Sequence, residues 1–75
     1  MVQIYEASPK ELKSMAQQYY SDGILSRVTQ CYERLLYLGS LHKIGYLRLA
    51  LVYTKQRKDN AAERVLNRYR AIYKQ

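Results

Sequence analysis

The stretch "YYSDGILSRVTQCYERLLYLGS", Tyr19–Ser40, decides the reading of this chain. Its order of large, small and polar residues returns in degenerate form in "YTKQRKDNAAERVLNRYRAIYK", Tyr53–Lys74, at an offset of 34 residues. Laid on itself at that offset, the chain pairs Leu12 with Tyr46, Met15 with Leu49, Ala16 with Ala50 and Tyr19 with Tyr53. It goes on to pair Val28 with Ala62, Cys31 with Val65, Tyr32 with Leu66 and Leu35 with Tyr69. Nearly every matched pair is apolar, which is how a repeated supersecondary unit shows itself in a sequence.

Outward from that stretch, capping chemistry marks the unit's parts. Ser8, Pro9 and Glu11 in "SPKE" have the form of a capping box with proline at the first helical position. Leu12, Met15, Ala16 and Tyr19 then recur at three- and four-residue steps, the spacing of one helix face. Gly23 suits the left-handed residue that ends a helix. A second helix carries Leu25, Val28, Tyr32, Leu35 and Leu36 and stops at Gly39. Ser40 is expected to cap a third helix, apolar nearly all round, with Ile44, Tyr46, Leu47, Leu49, Ala50, Leu51 and Tyr53. The pattern "NAAE", Asn60–Glu63, is expected to open a fourth as another capping box. No strand signal is convincing, and the reading leaves an irregular arm over 1–8, one hairpin over 9–40 and a second over 41–75. The expected fold is all-α: two helix-turn-helix hairpins in one domain.

Composition narrows the function. A chain of 75 residues makes one domain at most. The single cysteine, Cys31, allows no internal disulfide and reads as a small core residue. The N-terminus has neither the basic nor the apolar region of a signal peptide. The most apolar window, "IGYLRLALVY", is ten residues long and holds Arg48, too short and too charged to span a bilayer. A reducing, cytoplasmic setting is the expectation. One histidine, His42, no paired carboxylates and no glycine-rich phosphate loop disfavour an enzyme. Nothing calls for a metal or a cofactor. The formal charge of +7 is skewed, with seven Lys/Arg against Asp59 and Glu63 from Lys55 onward. A basic third could meet nucleic acid, and nine tyrosines could add base stacking. Arg64 with Arg68, and Arg70 with Lys74, could form a phosphate-binding ridge or a solvated face.

On these residues the chain resembles the tetratricopeptide repeat over roughly 9–74, as two tandem copies. Leu12, Met15, Ala16, Tyr19, Val28, Tyr32 and Leu35 form the first copy. Tyr46, Leu49, Ala50, Tyr53, Ala62, Leu66 and Tyr69 form the second. Val28, Leu35 and Tyr69 are bulky where the family prefers alanine, and Arg57 replaces the turn glycine matched by Gly23. The resemblance implies right-handed stacking of the hairpins and a groove lined by their first helices. Carried over by position, that groove shows Lys13, Gln17, Tyr20 and Ser21 from the first copy, and Leu47, Leu51, Thr54 and Lys55 from the second, with Ile44 at its rim.

The family's carboxylate-gripping scheme is disfavoured, because Leu51 stands where a polar residue is needed. An apolar groove of this kind suits an amphipathic helix. The implied function is non-enzymatic: a protein-interaction module or chaperone that holds an amphipathic helix or peptide of a small helical partner. In size and helical content the chain is similar to the type III secretion chaperones that hold needle subunits in the cytoplasm. A small basic nucleic-acid-binding protein is the alternative. Repeat arrays usually need about three units, so the exposed side expected at Val65, Tyr69 and Ile72 implies a second interface, in a homo- or hetero-oligomer.

Overall fold

In a computed structural model, which describes residues 3–73, four helices follow a single 3-10 turn. The helices are α1 (Pro9–Ser21), α2 (Leu25–Tyr37), α3 (Lys43–Lys55) and α4 (Asp59–Ile72). The fold is all-α, with no strand among the described residues. It comprises two compact units, Met1–Leu41 and His42–Gln75; α1 packs on α2 in the first and α3 on α4 in the second.

The helix starts and turns repeat with the sequence. α1 and α3 begin 34 residues apart, as do α2 and α4. Gly23 closes α1 at φ 76°, and Arg57, its match, closes α3 at φ 63°. Gly23 N–H donates to the Tyr20 carbonyl at 3.1 Å and Ile24 N–H to that of Tyr19 at 2.9 Å. After α3, Arg57 N–H donates to Thr54 at 3.0 Å and Lys58 N–H to Tyr53 at 2.8 Å. Both are Schellman closures, which supply donors to carbonyls that the helix end would otherwise orphan. Gly39 and Ser40 close α2 the same way on Leu36 and Leu35, with Gly39 at φ 71°.

These closures correct two expected caps. Ser40 does not cap α3, because its N–H completes the end of α2; the residue before α3 is His42, which makes no side-chain cap hydrogen bond. Asn60 does not open α4 either, since the helix already starts at Asp59 and Lys58 precedes it. Lys58 finishes α3 and starts α4 at once, as Ile24 does between α1 and α2, and neither uses its side chain as a cap. Only the first capping box forms: Glu11 N–H donates to Ser8 Oγ at 3.2 Å, and Ser8 N–H to Glu11 Oε1 at 2.9 Å.

Arg57 holds a backbone conformation that costs a residue with a Cβ roughly 1–2 kcal/mol. Glycine there gives up about 0.5–1 kcal/mol of that gain to unfolded-chain entropy. Arg57→Gly is therefore expected to stabilise the protein by roughly 0.5–1 kcal/mol in urea denaturation. Gly23→Ala should cost about 1 kcal/mol, from the backbone alone, because a Cβ at Gly23 meets nothing within 4 Å.

The largest wholly buried side chains of the first unit are Leu12, Val28, Cys31 and Leu35; Leu49 and Val52 are those of the second. Thr29 is buried and its hydroxyl donates to the Ser26 carbonyl at 2.8 Å. In the second unit Tyr46, Tyr69 and Tyr73 form a ring cluster, the closest centroids 5.3 Å apart, with Lys43 Nζ over Tyr73 at 5.8 Å. Tilted and edge-on ring pairs of this kind add to the area they bury.

Burial pushes the Cys31 thiol up from its ordinary value, opposed in part by the charge of Arg27. Only the thiolate reacts readily. Ellman's reagent at neutral pH is therefore expected to modify Cys31 slowly in the native protein and at once in denaturant. The raised pKa favours the protonated thiol in the folded state. Its contribution to stability is present below the unfolded thiol's pKa and is lost as pH rises through the folded one.

The arm ahead of α1 carries more structure than its sequence suggests. Ile4–Glu6 forms the 3-10 turn, and Ile4 and Ala7 are buried. Arg34 of α2 reaches back across 29 residues to donate from Nη2 to the Tyr5 carbonyl at 3.3 Å. Its guanidinium also lies 5.9 Å from the Tyr5 ring centroid and 5.1 Å from that of Tyr37.

Candidate partner-binding face

Six buried residues of α3 are Gly45, Tyr46, Leu49, Ala50, Val52 and Tyr53. They fall on about half of the helix circumference and leave the other half outside. An apolar row runs along that half, with exposed Arg48 beside it: Ile44 is 61% exposed, Leu47 42% and Leu51 48%. Steps of three and four residues put these side chains on one face in successive turns. Single exposed leucines are ordinary on a protein surface, whereas an aligned row is a feature to be explained. The row continues into exposed polar residues, Thr54 and Lys55. The Thr54 hydroxyl donates inward to the Ala50 carbonyl at 2.9 Å, so it offers a partner its lone pairs before its proton.

The corresponding face of α1 has different chemistry. Lys13 is half-buried, Gln17 is exposed and Tyr20 is 44% exposed. Within its own helix each expected groove residue lies on an accessible or partly accessible face. The difference between the two faces follows from the sequence, since Lys13 and Gln17 stand 34 positions before Leu47 and Leu51.

The second expected interface does not form as a face. Val65 is 7% exposed, so it is a core residue, as its pairing with buried Cys31 implies. Tyr69 is half-buried and spends its ring on Tyr46 and Tyr73. Ile72 alone of the three is largely open, at 52%. Arg64, Arg68 and Arg70 of α4 are exposed, and Arg70 Nη1 donates to Asn67 Oδ1 at 3.1 Å. Lys74, expected beside Arg70, lies outside the described residues.

Among the described residues no group of three His, Cys, Asp or Glu side chains could hold a metal ion. None of their helices is long and apolar enough to cross a membrane. No protein-family model, no curated protein and no solved structure matches the chain.

Proposed function

We propose that this protein is a non-enzymatic interaction module whose second hairpin receives an amphipathic helix from a protein partner. The observation that carries this reading is the aligned exposure of Ile44, Leu47 and Leu51 on α3. Fully burying a side chain of this size is worth about 1.5–3 kcal/mol, and these three, 42–61% exposed, leave part of that unused. A helix presenting apolar residues at the same three- and four-residue steps covers the row without a polar group having to enter it. Lys55, one turn beyond Leu51, favours an acidic residue at the matching end of that helix. The resemblance to secretion chaperones favours a partner that is itself small, helical and prone to aggregate when uncovered.

Copurification of the full-length chain from its native host, with mass spectrometry of what comes with it, tests the reading. A small helical protein recovered in stoichiometric amount supports it. Recovery of nucleic acid alone, released by salt, refutes it.

A further inference from the structure

The first hairpin contains a cleft that the partner-binding reading does not use. It lies between the 3-10 turn and α2, encloses about 270 Å³ and is lined by Tyr5, Arg27, Gln30, Glu33, Arg34 and Tyr37 among others. Two features of this lining call for an explanation beyond stability. Tyr5 and Tyr37 are each 79% exposed, the most open large apolar side chains among the described residues, and they flank the same guanidinium. Arg34 Nε is buried with no hydrogen-bond partner. A buried donor left unmade is a cost that native structures rarely carry without a reason. The guanidinium's bond to the Tyr5 carbonyl is long at 3.3 Å.

We propose that this cleft binds single-stranded nucleic acid, taking one nucleotide with its base against Tyr5 or Tyr37 and its phosphate on Arg34 and Arg27. Arg34 occupies the inner sides of the two rings, and their open sides are available for stacking. Stacking of bases on exposed aromatic rings beside cationic side chains is the usual chemistry of sequence-tolerant single-strand binding. A phosphate that draws the Arg34 guanidinium outward gives Nε the acceptor it lacks, in a charge-assisted bond. Arg27 Nη1 rests 3.5 Å from Gln30 Oε1, a contact too long to hold it against an anion.

Glu33 sets the limits of the site. Its carboxylate opposes an anion, so the two arginines leave the lining with a net charge of +1. A simple acidic peptide has only charge to offer such a cleft, whereas a nucleotide adds a flat ring that can stack on an exposed tyrosine. The cleft has room for one nucleotide and not for a duplex. The chain's overall charge of +7 favours approach of any polyanion, so the lining must supply the discrimination.

Fluorescence anisotropy of labelled twelve-nucleotide oligo-dT and oligo-U, titrated with the full-length protein at physiological salt, tests the proposal. Micromolar binding is expected, with its logarithm falling linearly against the logarithm of salt. Tyr37→Ala should weaken it about tenfold, Tyr37→Phe should restore it, and circular dichroism should be unchanged in both. Arg34→Gln should also weaken binding; because Arg34 holds the Tyr5 backbone, Arg27→Gln serves as the second charge variant. Arg64→Gln with Arg68→Gln on α4 should change affinity by less than about threefold, by loss of general charge alone. No binding at millimolar protein overturns the proposal. So does binding indifferent to Tyr37→Ala, binding lost with the α4 pair, or equal affinity for polyglutamate of the same charge.

Discussion

Replacing Leu47 and Leu51 together by aspartate is expected to abolish partner binding while helix content stays close to that of the wild type. The two side chains sit one turn apart on α3 and are 42% and 48% exposed. A carboxylate at either position remains hydrated in the free protein, so folding is little affected. Helix propensity falls by at most about 0.7 kcal/mol at each site. In a complex the same carboxylates would be buried against an apolar helix with no cation opposite them. Desolvating a hydroxyl or amide without a partner already costs roughly 2–7 kcal/mol, and an unpaired charge costs more. The affinity loss should therefore exceed a hundredfold, measured by isothermal titration with the copurified partner. If the folded double variant keeps its affinity, the partner binds elsewhere on the chain. If circular dichroism shows the variant unfolded, these leucines belong to the core.

Ala50→Leu is expected to lower stability by roughly 1–3 kcal/mol, the cost of forcing extra carbons into a packed site. Ala50 is 4% exposed and lies between Leu49, which is wholly buried, and the exposed row. Its match across the repeat offset, Ala16, is wholly buried too. Small domains are stable by only about 5–15 kcal/mol in total, so the substitution should visibly lower the thermal midpoint. A melt unchanged from the wild type would remove the packing reason for an alanine at this place in each hairpin.

Much of the architecture is legible in the residues, and the places where it is not share a cause. Gly23 and Gly39 announce their turns because only glycine takes the left-handed conformation at little cost. Arg57 announces nothing by itself; the offset from Gly23 exposes it as a turn residue. Ser40 and Asn60 mislead because a capping pattern is a local signal, and in both places a backbone closure of the preceding helix has taken the position. Val65 was legible as core through its pairing with Cys31, yet the apolar count of α4 also admits the open side that was expected of it. The row on α3 could be placed from spacing alone, since every third or fourth residue of a helix returns to the same face. The cleft beside Arg34 could not. Tyr5 and Tyr37 stand far apart in the chain, a single 3-10 turn has no periodicity, and an arginine that reaches 29 residues back leaves no mark in the sequence.

The doubled use of Ile24 and Lys58, each finishing one helix while starting the next, bears on how this sequence can drift. In a turn of three residues every backbone position has a fixed duty, so an insertion has no slack to occupy. One added residue would break the closure of the first helix. Otherwise it would enter the second helix and rotate everything beyond it by about 100°, carrying the apolar face toward water. Substitutions can accumulate in these turns, as the arginine in place of glycine shows, but changes in length cannot. Natural variants of this protein should therefore keep both turns at constant length while their residues change.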